Sequence, residues 1–224
     1  MEMKMQKRAK RIFEYVCIPI VLAALGFLVL YLALRPVLDF ASNMSSLILS
    51  ESAPEFRTSL ATIYDENSNP ESTGTVLMQD IEFPSYETCY GRLSCERLGM
   101  DVAVFWGDSD RVFREGAGQY IGSFLPGYGG VILLGAHDSM YFEPLQDVRE
   151  GDEFVIRTNY GIYTYRVTET KIASDDDSEV YGNLADGEQL VMYTCYPFGA
   201  LIGVKNERFY VFAEQISGPE VVRQ

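Results

Sequence analysis

The chain has one histidine in 224 residues, one tryptophan and four cysteines. A lone imidazole, His137, excludes metal centres built from several histidines. It also gives any histidine-dependent proton transfer only one place to occur. Positive charge is scarce beyond the N-terminus. Of 18 lysines and arginines, six fall within the first 35 residues, leaving twelve against thirty carboxylates and a net charge of −18 over residues 36–224. Nucleic-acid binding depends on basic patches facing phosphate, so a body this acidic argues against that partner. Internal repeats are absent. The apolar share of 47% and charged share of 22% exclude a wholly disordered chain.

Long apolar runs are also missing, with one exception. Val16 to Leu34 contains nineteen residues without a charge, preceded by Lys4, Lys7, Arg8, Lys10 and Arg11. As a helix it would span roughly 28 Å, about the hydrocarbon thickness of a bilayer. Tyr15 and Tyr31 stand near its ends, where amphipathic rings favour the interface. The run ends in Leu34-Arg35-Pro36 and lacks a small-residue cleavage site, so an uncleaved single-pass anchor is expected over residues 16–35. The basic flank, residues 1–15, predicts a cytoplasmic tail, which puts the acidic body outside the cell membrane. Residues 36–80 lead on from the anchor as an extracellular stalk or linker. A weak helical pattern runs over Leu38 to Leu60, and Tyr64 to Gly74 is polar and turn-rich.

From Glu82 onward, short strands alternate with turn signals. Val102–Trp106, Gly130–Leu134, Glu153–Arg157, Ile162–Thr168, Leu190–Thr194 and Phe209–Phe212 are apolar or alternating. The third and fourth flank Asn159-Tyr160-Gly161 and predict a hairpin. Helical spacing is confined to Ser109–Arg114 and Tyr141–Val148. Strands at intervals of about ten residues indicate a mainly all-β body over residues 81–217, either a closed barrel or a sandwich. Residues 218–224 form a polar tail.

Cys195 ends a predicted strand, and Tyr196-Pro197-Phe198-Gly199 turns directly after it. A thiol in that position is accessible, and the turn offers backbone N–H groups, beginning with Tyr196, to a developing oxyanion. His137 likewise follows an apolar strand. Arg208 opens the last strand, so thiol and guanidinium share one rim if those two strands are neighbours. A Cys/His/Arg set suffices for acyl transfer: thiolate attacks a carbonyl, imidazolium protonates the leaving amine, and guanidinium steadies substrate or oxyanion. Each residue alone has an ordinary structural explanation, as a buried thiol, a packed imidazole or a solvated strand arginine.

The text around these residues resembles the sortase family of cysteine transpeptidases. The likeness covers about residues 82–214. It runs through Phe105-Trp106-Gly107-Asp108, Gly116-Ala117-Gly118-Gln119-Tyr120 and the Gly-x-His segment ending at His137. It continues through Tyr160-Gly161-x-Tyr163-x-Tyr165 to Tyr193-Thr194-Cys195-Tyr196-Pro197-Phe198 and Arg208-Phe209. The Cys-Tyr-Pro-Phe variant is most similar to the class D branch. The resemblance implies a closed eight-stranded β-barrel with short helices, following an N-terminal transmembrane helix. It also implies cleavage of an LPxTG-like sorting signal through a thioacyl-enzyme, with transfer to a peptidoglycan-precursor amine. His137 is then the general acid/base, Cys195 the nucleophile and Arg208 the substrate and oxyanion residue, with Thr194 and Tyr196 binding substrate. No cofactor is implied. Departures from the pattern are Ala136 and Asp138-Ser139 beside the histidine, and Gly199-Ala200-Leu201 after the cysteine turn; they bear on substrate preference.

Two further groups have competing explanations. Cys89 and Cys95 could form a disulfide in an exported domain, but on one extended strand they would stand roughly 20 Å apart, far beyond bridging range. Buried thiols are therefore expected. Asp175-Asp176-Asp177 with Glu179 could hold calcium, although a solvated acidic loop is the commoner outcome. Two alternatives to the transpeptidase stay open at this stage: another cysteine acyl hydrolase, and a non-catalytic membrane-tethered β-module that binds surface proteins.

Overall fold

A computed structural model describes residues 20, 23–28, 30–31, 60–177, 187–199 and 205–223. The chain divides into two compact units, Met1–Arg57 and Thr58–Gln224. In the first unit the described residues are helical and exposed, among them Ile20, Leu25, Phe27, Leu28, Leu30 and Tyr31. No helix among the described residues is long and apolar enough to cross a membrane. Most of the anchor expected over residues 16–35 lies outside them, as do the cytoplasmic tail, stalk residues 36–59 and Glu179 of the acidic cluster.

The second unit is a closed eight-stranded barrel. Its strands are β2 (Thr88–Cys95), β3 (Met100–Trp106), β4 (Ala117–Gln119), β5 (Val131–Gly135), β6 (Glu153–Thr158), β7 (Ile162–Ser174), β8 (Gln189–Tyr196) and β9 (Glu207–Ser217). Around the barrel they run β2-β3-β4-β5-β8-β9-β7-β6. All six expected strands are present, and the Asn159-Tyr160-Gly161 turn does close the antiparallel β6–β7 hairpin. The expected helical pieces are short: Asp110–Phe113, capped by the Ser109 hydroxyl accepting from Val112 N–H, and a 3-10 turn over Glu143–Asp147.

The alternation of β8 shows how sequence becomes position. Leu190 and Met192 point into the principal core with Leu93, Val104, Ile132, Phe154 and Tyr165, all fully or almost fully buried. Val191 and Tyr193 point to the outer face, where they pack with Leu133, Tyr210 and Phe212 in a second apolar cluster. A strand apolar on both faces is covered on both, hence its near-continuous run of apolar residues.

The parallel β5–β8 register is pinned where these strands begin. Glu188 is buried directly before β8, and its carboxylate accepts from the N–H of Gly127 (2.7 Å) and Gly129 (2.9 Å) and from the Tyr165 hydroxyl (2.6 Å). Gly127 has φ +90°, and a Cβ there would sit 2.6 Å from the Tyr163 hydroxyl, so only glycine fits. The loop into β5 is thereby tied to the residue that starts β8.

Residues 60–77, within the segment whose composition suggests a stalk, lie on the barrel. Thr62 bridges to Cys89, the Asn159 side-chain Oδ1 accepts from Asp65 N–H (2.8 Å), and Glu71 bridges to Gly161. Strand β1 (Thr75–Leu77) pairs in parallel with β10 (Glu220–Val222), which is formed by the polar tail. Backbone hydrogen bonding orders these segments where side-chain pattern gave no signal. The β1–β10 pair and the Glu71–Gly161 bridge lie at the end where β8 begins and β9 ends, with Val221 N–H donating to the Gly127 carbonyl at 2.8 Å.

Burial pushes the Glu188 carboxyl above its ordinary value, against the hydrogen bonds that favour its charged form. The folded state then holds a proton that the unfolded state has released. Native stability should accordingly fall as pH rises from the unfolded value near 4.5 through the raised one. Urea denaturation across pH should show that slope in the wild type and its loss in Glu188→Gln, which keeps an acceptor for the two glycines. Glu188→Ala, which orphans three donors, should lower the unfolding free energy by about 3 kcal/mol.

Candidate active site

Cys195 and Arg208 are direct cross-strand partners in the antiparallel β8–β9 pair. Residues opposite each other on a sheet project to the same face with Cβ atoms about 5 Å apart. The condition set by the sequence, that these strands be neighbours, is met. Parallel pairing of β5 with β8 aligns Gly135 with Tyr193. His137, two residues past Gly135, therefore leaves β5 at the end of the barrel where Cys195, two residues past Tyr193, leaves β8. All three predicted residues meet at one rim, each partly exposed.

His137 is held on several sides. Its carbonyl accepts from Phe142 N–H at 3.1 Å, which closes the turn that follows. The Phe113 ring meets the imidazole edge-on, with centroids 5.7 Å apart. Thr194, buried beside the thiol, donates its hydroxyl to the Ala136 carbonyl at 2.7 Å. This bond ties the residue before the histidine to the residue before the cysteine. Tyr196 pairs with Glu207 in the ladder, and its ring packs edge-on against Phe198, which in turn meets Phe209.

The Arg208 guanidinium donates to the carbonyls of Lys205 (2.7 Å) and Glu207 (3.1 Å) and to the Asp175 carboxylate (3.3 Å). Asp177 pairs with Lys171 at 3.4 Å. Two carboxylates of the acidic cluster thus already face cations within the protein. Among the described residues, no group of acidic, cysteine or histidine side chains has the arrangement of a metal site.

Cys89 and Cys95 stand at opposite ends of β2, free and buried, as the strand geometry requires. Burial pushes both thiols up from their ordinary value. Cys195 is free and only partly buried, on the outer face.

A groove of about 470 Å³ continues along that outer face, lined by Tyr120, Ser123, Phe124, Val131, Leu133 and Tyr193. Tyr193 lies across β5 because residue 135 is glycine; a Cβ there would stand 2.6 Å from its ring. None of these lining residues stands out as a site residue in the sequence. The period of two along β8 would have flagged Tyr193, since it shares a face with Cys195. Tyr120 and Phe124, exposed on the loop after β4, carry no such signal.

A family profile described as "Sortase domain" matches residues 93–216. The chain is 26% identical over 127 residues to sortase D of Bacillus subtilis and 25% identical over 146 residues to sortase A of Listeria monocytogenes. These matches cover 57% and 58% of this chain and 64% and 65% of the relatives, so the chain spans just under two thirds of the curated relatives it matches. Among solved structures, a sortase transpeptidase of Clostridium perfringens has a similar fold, with TM-score 0.54 and 22% identity, over 62% of this chain and 85% of that one.

The Thr194 hydroxyl generates a direct test. Thr194→Val keeps the shape and leaves the Ala136 carbonyl unpartnered, so it should lower stability by about 1–2 kcal/mol in urea melts, while Thr194→Ser should retain most of it. Under native conditions iodoacetamide should modify Cys195 and spare Cys89 and Cys95, as read by peptide mass mapping.

Proposed function

The chain belongs to the sortase family, and on that premise we propose that it is a membrane-anchored cysteine transpeptidase. It cleaves an LPxTG-like sorting signal and transfers the acyl fragment to a peptidoglycan-precursor amine on the outer face of a Gram-positive cell membrane. The observation that carries this reading is the rim itself: Cys195 opposite Arg208 in register, with His137 delivered alongside by the parallel β5–β8 pair.

In this reading the Cys195 thiolate attacks the threonine carbonyl of the signal, at the bond that follows the threonine. Arg208 exchanges its Asp175 counter-ion for the substrate carbonyl and steadies the tetrahedral oxyanion. Imidazolium at His137 gives its proton to the departing amine, leaving a thioester on Cys195. An incoming amine then loses its proton to neutral His137 and takes the acyl group, which regenerates the thiolate. Thr194 contributes by fixing the spacing of the Cys195 and His137 segments. The groove beyond Tyr193 holds the apolar residues upstream of the scissile bond. The charge-free run over residues 16–34 supports anchoring and the basic flank supports a cytoplasmic N-terminus with the catalytic unit outside.

The test is intact mass of the full-length chain, in detergent, after incubation with a small set of LPxTG-like peptides. Wild type should gain the mass of a peptide's N-terminal fragment, and Cys195→Ala should gain nothing. Arg208→Lys, which loses the planar fork, should cut the rate of adduct formation by about 100-fold. The rate should follow a bell in pH, because thiolate and imidazolium are needed together. A profile flat from about pH 5 to 10 would exclude the pair.

A further inference from the structure

We propose that Asp138 and Lys205 form an ionic clasp that positions the three catalytic groups, with Asp138 and Lys205 as positioning residues. The proposal rests on the assignment of His137, Cys195 and Arg208 made above. Asp138 follows the histidine directly, and its side chain is 9% exposed. Its Oδ2 accepts from Lys205 Nζ at 2.6 Å and from Gly199 N–H at 3.3 Å. Gly199 belongs to the turn after Cys195. The Lys205 carbonyl accepts from Arg208 Nη1 at 2.7 Å. One carboxylate and one lysine therefore join the segments that carry all three groups, and the Lys205 side chain is itself only 18% exposed.

A carboxylate this sheltered is costly to bury alone, and an ammonium at 2.6 Å is the partner that removes the cost. Thr194 holds the residue before His137 and the clasp holds the residue after it, so the imidazole is fixed from both flanks. Neither Asp138 nor Lys205 reaches the reacting atoms in this arrangement. They act through geometry and through a fixed pair of opposite charges beside the thiol and imidazole.

That charge pair gives the clasp a signature that a purely structural role lacks. Lys205→Met leaves an unbalanced negative charge at the rim, which favours protonated groups and should move the pH–rate bell to higher pH. Asp138→Asn leaves an unbalanced positive charge and should move the bell to lower pH. The double variant restores neutrality and should return the bell to its wild-type position. The other charged or titratable groups described at this rim, His137, Cys195, Tyr196, Glu207, Arg208 and Asp175, are the same in all three proteins.

The experiment uses the full-length chain with two readouts: kcat and KM against an LPxTG-like peptide, and the pH midpoint of Cys195 alkylation by iodoacetamide. Each single substitution should lower kcat about 10- to 100-fold with KM changed less than about threefold. The double variant should lose no more than the worse single one, because the pair acts as a unit. Lys205→Arg should keep most of the rate. Alkylation midpoints should shift in opposite directions in the two single variants. Lys205→Gln replaces Lys205→Met if thermal melts show the latter unfolded. Shifts that are absent or of one sign, or losses that simply add, would overturn the clasp. If the wild type forms no adduct with any peptide while the alkylation midpoints still move oppositely, the clasp stands and the transpeptidase reading fails.

Discussion

The site depends on the register of one parallel strand pair. Strands β5 and β8 lie far apart in sequence, and a slip of one residue between them would turn every side chain of β8 to the other face. Cys195 would then point into the barrel and Thr194 out of it. The fold fixes this register with a polar side chain at each end. Glu188 draws the loop before β5 onto the start of β8, and Thr194 ties the end of β8 to the backbone leaving β5. Between these pins the apolar residues of both faces supply most of the stabilisation, but burial without direction cannot choose a register. Hydrogen bonds can.

The same division holds through the rest of the barrel. Large side chains such as Tyr163, Phe154 and Tyr165 fill the interior. Polar contacts at the strand ends decide where each loop goes. The Tyr160 hydroxyl donates to the Pro126 carbonyl, and Arg97 forks onto Asp152, fastening the β2–β3 turn to the loop before β6. The antiparallel β8–β9 pair adds the third member of the site without a device of its own. Once Cys195 is placed, ladder geometry delivers Arg208 opposite it.

Six of the eight barrel strands were legible in the sequence because each is an apolar or alternating run, whereas β2 and the three-residue β4 were not picked out by pattern; the hairpin was legible because Gly161 marks its turn. The three candidate site residues were legible for a different reason. Each sits in a short local word, Gly-Ala-His, Thr-Cys-Tyr-Pro and Arg-Phe, at the end of an apolar run. What remained hidden was non-local. Asp138 and Lys205 are 67 positions apart, and neither has a neighbour in sequence that announces the other. The pairing of Thr75–Leu77 with Glu220–Val222 joins the two ends of the domain. Both segments are too short to show a period, and the turn-rich stretch before the first concealed that its backbone is engaged from residue 62 onward. Tyr120 and Phe124 line the groove only because the loop after β4 folds back over β5, hydrogen-bonding to Leu133 and Val131.

Strand β8 runs roughly 23 Å from Gln189 to Tyr196, and its two ends serve different purposes. Residues 71–77 and the β10 strand are fastened near its start, while the thiol stands at its finish. A bead, a surface or a fused protein attached after Val222 would therefore meet the domain on the side remote from Cys195. Such an immobilised preparation would keep its reactive rim turned toward the solution, without any linker having to be designed to swing it clear.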